Sequence, residues 1–138
     1  MKYWIIPGNV NIFRVIDYFK DFDVVDWKQS HYSFEIGDIV FLYVSAPYSK
    51  IMYMLEVVKR DIPYNESKDD KIYWTHKHEI EQNIKNFKYV RLKLLKQTNN
   101  SNLSLSSLCE FGLSTAPQGA SHKLSKALID YILTNFEK

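Results

Sequence analysis

The side chains able to do chemistry in this 138-residue chain are few and scattered. Asp17, Asp21, Asp23 and Asp26 crowd one stretch, as the carboxylates of a metal-dependent nuclease would. Their spacing puts them on the outer face of a helix and at its exit. No paired basic motif accompanies them, so they read as a solvated face. His76 and His78 are two residues apart, a spacing that points them to different sides of a helix, and no third ligand accompanies them. The single cysteine, Cys109, allows neither an intramolecular disulfide nor a cysteine-based zinc site. It falls on the apolar face of a short helix and reads as a small core residue. The four glycines form no phosphate loop. No nucleophile has a partner base. With no metal, cofactor or catalytic set in view, the chain reads as a binding module and not an enzyme.

Trp27 carries the remaining chemistry. It lies in the polar run Val24-Val25-Asp26-Trp27-Lys28-Gln29-Ser30, which reads as a loop ahead of the chain's strongest strand. A large aromatic there serves either as an anchor for the loop or as one wall of a pocket for a flat ligand. The residue alone leaves both readings open.

The elements that must position it follow from periodicity. Tyr3 to Ile6 is a strand, ended by Pro7-Gly8-Asn9. Ile12, Val15, Ile16 and Phe19 have helical spacing, which predicts a helix from about Ile12 to Phe22, with Asn9 and Asn11 as cap candidates. Ile39 to Ser45 is apolar on both faces, which predicts a covered central strand. Ala46-Pro47-Tyr48-Ser49 turns the chain into a hairpin partner, Ile51 to Val58. Lys59 to Lys71 reads as a long exposed loop, followed by a helix starting near Thr75. Val90, Leu92 and Leu94 alternate with Arg91 and Lys93 as a half-buried strand. Leu105, Leu108 and Cys109 fit a short helix closed by Gly112. Ser121 is the expected cap of a last helix with Leu124, Leu128, Tyr131 and Ile132 on one face.

Hydrophobic residues at 46% suit a packed core, and 138 residues suit one domain. A formal charge of +2 is too small to imply a nucleic-acid partner without local clustering. No apolar run approaches membrane-spanning length and no signal peptide is visible, so a cytoplasmic protein is expected. Strands and helices mix without regular alternation, which predicts an α+β domain with a curved sheet or small barrel.

Tyr3-Trp4-Ile5-Ile6, Asp26-Trp27, Gly37-Asp38-Ile39-Val40, Tyr43-Val44-Ser45 and Glu56-Val57-Val58 together resemble an EVE domain, in order and spacing. EVE domains belong to the PUA-like superfamily and are related to YTH domains. The resemblance implies a barrel-like sheet flanked by helices, with a pocket at the barrel mouth. It implies that the pocket takes a modified base out of the stack, a modified cytosine in DNA. It also implies a setting in modification-dependent restriction or defence, with a nuclease encoded separately.

Carried over by the resemblance, Asn9, Asn11 and Trp27 line the pocket, and Trp74 is the candidate second wall, with Tyr73 beside it. Lys28-Gln29-Ser30 stands where many EVE members continue with a Gly-Val-Arg-Asn type run. Ser30, Ser45, Pro47 and Tyr48 fall near the mouth, as do Pro117 and Gln118. Each also has a plainer role as a turn, cap or packing residue. Lys59, Arg60, Arg91, Lys93 and Lys96 are candidate phosphate contacts, or ordinary surface charge. The competing readings are a domain for a small planar metabolite and a reader of modified RNA.

Overall fold

The computed structural model describes residues 1–67 and 87–138. Trp74, Tyr73, His76, His78 and the helix expected from Thr75 lie outside the described residues.

Five strands form one mixed sheet: β1 (Tyr3–Gly8), β2 (Val24–Lys28), β3 (Ile39–Val44), β4 (Lys50–Pro63) and β5 (Lys88–Gln97). Their order is β1-β3-β4-β5-β2. β1 runs parallel to β3, and the other neighbours are antiparallel. Among the described residues three α-helices flank it: α1 (Val15–Asp21), α2 (Leu105–Cys109) and α3 (Lys126–Phe136). The fold is therefore α+β, as expected.

The period of two along each strand sorts side chains onto two cores. Trp4, Ile6, Val40, Leu42, Leu55, Val57, Val90 and Leu92 face one side, with Val15, Tyr18 and Phe19 of α1 packed on them. Ile5, Phe41 and Tyr43 face the other, where Leu128, Ile132 and Phe136 of α3 cover them. β3 is apolar throughout because both its faces are covered.

The sheet is strongly curled. Neighbouring strands lie about 4.8 Å apart, so the outer strands of a flat five-stranded sheet would be separated by roughly 19 Å. β1 and β2 are those outer strands. Yet the tip of the Trp27 ring lies 3.7 Å from where a Cβ on Gly8 would sit. Side chains, led by Trp27, span the seam between the two edges.

Several boundaries differ from expectation. The run around Trp27 is a strand, with Trp27 opposite Val90 and Asp26 opposite Arg91. It looked like a loop because a five-residue edge strand with a polar outer face carries only Val25 and Trp27 inward. α1 starts at Val15, because Ile12 and Phe13 donate their N–H groups to the Asn9 carbonyl in a turn. β4 runs to Pro63, so residues 59–63 are strand; register shifts between Val57 and Ile62 break the alternation that would reveal it. Ser125, not Ser121, caps α3, accepting from the Leu128 N–H. Ser121 instead pairs with Ile5 through two backbone hydrogen bonds of 2.9 and 3.0 Å, covering the outer edge of β1. Cys109 is exposed, since the short α2 buries only Leu108.

Gly37-Asp38 is a structural knot. Gly37 takes a φ of 95°, accessible to glycine at little cost. Asp38 is fully buried and accepts from the Lys2 N–H (2.8 Å), the Trp4 indole N–H (2.9 Å) and the Glu35 N–H (3.0 Å). Burial pushes its carboxyl up, but these three donors and the Lys2 charge together outweigh burial and hold it below the ordinary aspartate value. No helix among the described residues is long and apolar enough to cross a membrane.

Candidate functional site

The seam between β1 and β2 is the place where the sheet's own backbone does not close the barrel. Its first wall is the turn after Gly8. Asn9 and Asn11 are exposed, and the Asn9 Oδ1 accepts the Asn11 N–H at 2.9 Å. That carboxamide oxygen is therefore committed to the turn, and its Nδ2 hydrogens are what it has to offer a ligand. Ser45 ties the wall down: its N–H donates to the Gly8 carbonyl (3.0 Å) and its Oγ accepts the Val10 N–H (3.1 Å). Ser45 is thus a strut between the ends of β1 and β3. Tyr48 is exposed in the turn that follows, which holds a cis Ala46–Pro47 bond. Beneath it Tyr53 is buried, and burial first, then the Tyr48 and Asp17 charges, push its hydroxyl up to about 12.

The second wall is the half-buried Trp27 and the residues after it. Trp27 meets Phe13 edge-on, with centroids 6.0 Å apart and ring planes at 76°. That contact fixes the indole, and Gly8 leaves room for its tip. Lys28 places its Nζ 3.8 Å from the centre of the Phe87 ring, a cation–π contact.

Gln29, a candidate for base contact through the Lys28-Gln29-Ser30 backbone, is buried with both ends of its side-chain amide in use. Its Nε2 donates to Asp61 Oδ1 at 2.9 Å, and its Oε1 accepts the Asp61 N–H at 2.8 Å. The Gln29 hydrogen bond is the first cause holding the Asp61 carboxyl below its ordinary value, with Arg60 and Lys88 adding to it. Both ends of this clamp lie beside strained backbone: Ser30 has φ 52° and Asp61 φ 55°. Ser30 itself is exposed at the turn. The Gln29 side chain thus ties the end of β2 to Asp61 on β4.

Past Ser30 the chain reaches Tyr32, which packs edge-on against Trp4 with centroids at 6.1 Å. A Cβ on Gly119 would sit 2.6 Å from the Tyr32 hydroxyl, so any side chain there would force the Tyr32 ring or the segment to shift. Gln118 is exposed beside that contact, its Nε2 donating to the Ala116 carbonyl at 3.4 Å. This places Pro117 and Gln118 at the Tyr32 end of the seam.

The phosphate candidates divide. Arg91 grips the carboxylate of Asp26 with two hydrogen bonds, 2.8 and 3.0 Å, and Asp26 is buried. The hydrogen bond to Asp26 outweighs the effect of burial and raises the guanidinium further above its usual value. Arg91 is thus a strand-pairing residue, and Asp26 is not the solvated carboxylate its sequence context suggested. Arg60 pairs with Asp61 at 3.0 Å. Lys59 and Lys93 are exposed on β4 and β5, with Lys93 opposite Glu56 in the register. Among the described residues, no three His, Cys, Asp or Glu side chains converge as metal ligands would.

Sequence reasoning missed Phe13, Tyr32 and Asp61. Phe13 and Tyr32 carried only an aromatic type as signal, and Asp61 sat in a stretch read as loop.

No protein-family model matches the chain, and no curated protein matches it. Solved structures do. Human THYN1, in complex with DNA containing 5-methylcytosine, superposes with a TM-score of 0.65 at 12% identity, covering 100% of this chain and 99% of that one. The fold is PUA-like. An ASCH protein from Zymomonas mobilis gives 0.64 at 12% identity over 96% of this chain and 94% of its own. A hypothetical protein from Leishmania major gives 0.62 at 19% identity over 99% and 95%. The chain shares this architecture with those structures over nearly its whole length. Identities this low establish the fold alone.

Proposed function

We propose that this PUA-like domain is a non-catalytic reader of a modified nucleobase, holding a modified cytosine, flipped from duplex DNA, in the seam between β1 and β2. The observation that carries this reading is the Trp27 indole. It is half-buried on an edge strand, held edge-on by Phe13 and given space by Gly8. A ring fixed in this way is a stacking surface prepared before the ligand arrives, which lowers the ordering cost of binding. Asn9, Asn11 and Ser30 are exposed on either side of it and supply polar groups for a base edge. Lys59 and Lys93 are the exposed cations retained as phosphate contacts. The complex of human THYN1 with 5-methylcytosine DNA supports the reading through a shared fold.

The test is binding to a panel of duplexes that differ in one modified base, with Trp27→Ala alongside. Stacking on an aromatic is worth about 1–3 kcal/mol per base, so the variant should lose roughly 5- to 150-fold in affinity and stay folded. Equal affinity for every duplex in the panel would sink the modified-base reading. Free nucleoside bound as tightly as duplex would favour the small-metabolite reading, and preference for modified RNA would move the ligand class. Strand breaks, base loss or altered bases in recovered DNA would overturn the non-catalytic assignment.

A further inference from the structure

The far end of the seam carries a second set of rings. His31 lies over Tyr32 with centroids 4.3 Å apart, Tyr32 meets Trp4 at 6.1 Å, and His122 meets Trp4 edge-on at 4.7 Å. Trp4 is the buried floor, whereas His31 and His122 are exposed and Tyr32 is half-buried. Lys2 adds a cation 5.2 Å from the centre of the Trp4 ring, its Nζ bonded to the Ser33 carbonyl (2.9 Å) and Oγ (3.2 Å). Lys123, exposed, follows His122. Two carboxylates are close in the chain. Asp38 is buried and taken up by its three donors, and Glu35 is exposed. The backbone holding the rings is fixed, by Ser121 paired with Ile5 and by the Tyr32 hydroxyl against Gly119.

Covering a buried tryptophan needs only apolar side chains. Here Phe34 covers Trp4 from within at 4.4 Å, while its outer cover is Tyr32, with His31 over it, and His122, flanked by two lysines. Exposed flat rings interleaved with cations are the chemistry that takes a nucleic-acid strand, the rings stacking on bases and the cations meeting phosphates.

We infer that this face is a second nucleic-acid subsite, one that holds the nucleotide flanking the base taken into the seam. His31 and Tyr32 stack on that neighbouring base, and Lys2, His122 and Lys123 face its phosphates. The inference rests on the proposed reader function for which strand is held, and on its own geometry for the contact. It differs from the seam in kind, because stacking and phosphate contacts tolerate any sequence.

The experiment measures anisotropy of labelled duplexes and single strands, with and without 5-methylcytosine, across a salt series. It uses the whole chain and its His31→Ala/His122→Ala, Lys123→Gln and Trp27→Ala variants. The double histidine variant should bind both modified and unmodified DNA about tenfold more weakly, with their ratio kept. Lys123→Gln should flatten the slope of log affinity against log salt by about 0.7–0.9. An affinity within twofold of the unaltered protein, or a loss confined to methylated DNA, overturns the subsite. Lys123 is exposed, so Lys123→Gln decides the question even if the histidine variant fails to fold: an unchanged salt slope overturns it. If the unaltered protein ignores methylation yet the histidine variant still loses affinity, the reader function fails and the subsite stands. If the unaltered protein binds no nucleic acid, both fall.

Discussion

Trp4 and Trp27 make the most instructive pair in the molecule. Both stand on edge strands of the same sheet and both turn inward to the same core. Trp4 is 1% exposed and gives its indole N–H to a buried carboxylate. Trp27 is half-buried, braced on one side by Phe13. A ring enclosed on every side with its polar atom satisfied is part of the fold. A ring left partly open at a seam is, on the proposed function, the stacking surface for the base. Burial and partners, not residue type, separate the two roles.

The largest way to sharpen this contrast is Trp4→Ala. Removing a fully enclosed tryptophan typically costs about 3–5 kcal/mol, and here it also takes a donor from Asp38. Denaturant unfolding should show that loss, while Trp27→Ala should cost much less stability and act on binding. Similar destabilisation by the two would erase the distinction.

Asp38 gives the contrast a pH dependence. Its carboxyl is held below the ordinary value in the folded state, so its contribution is fully present above the unfolded-state value of about 3.9. That stability is lost as pH falls below this point and through the lower folded value. The denaturation midpoint should therefore drop more steeply below pH 4 in the unaltered protein than in Asp38→Asn. Parallel pH curves would remove Asp38 from the knot around Trp4.

Gln29→Ala tests the clamp behind Trp27. Ser30 and Asp61 hold strained backbone on either side of it, so its loss should free the wall. Affinity for the preferred duplex should fall, by less than in Trp27→Ala, with little change in the cooperativity of unfolding. No change in affinity would show that the wall holds its place without the clamp. The smallest effect should come from Gly8→Ala. The new methyl would meet Leu42 Cδ1 at 3.2 Å and the Trp27 tip at 3.7 Å. Leu42 must yield by a few tenths of an ångström, so a small stability cost and a measurable affinity loss are expected in the same titration and melt.

Much of the fold was legible because alternation and helical spacing are local. β1, β3 and β5 stood out from their apolar positions, and Gly37 and Gly112 stood where φ values of 95° and 115° are needed. The edge strand β2 was not legible. Five residues with two inward side chains look like a polar loop until β5 pairs with them. The end of β4 was hidden by bulges, and Ser121 looked like a helix cap while serving as a bridge to β1. At the site, Trp27 was visible by type, whereas the duties of Gln29 and Arg91 were not. Each is set by an aspartate distant in sequence: Asp61 for Gln29, 32 residues away, and Asp26 for Arg91, 65 residues away.

The sequence by itself determined that this is an α+β chain with a doubly covered central strand, and it supplied the ordered motifs that resemble an EVE domain. Those properties follow from side-chain period and turn chemistry, which act over a few residues. Only the tertiary structure decided which polar residues are occupied and which are exposed. The curl of the sheet brings the outer strands β1 and β2 together, and so sets Trp27 against Gly8 and Phe13. Hydrogen bonds from β2 and its end to β5 and β4 engage Asp26, Arg91 and Gln29, while Asn9, Asn11, Ser30, His31 and His122 lie at the surface. Long-range pairing is a property of the whole packed sheet, and no local pattern encodes which partner a polar side chain will find.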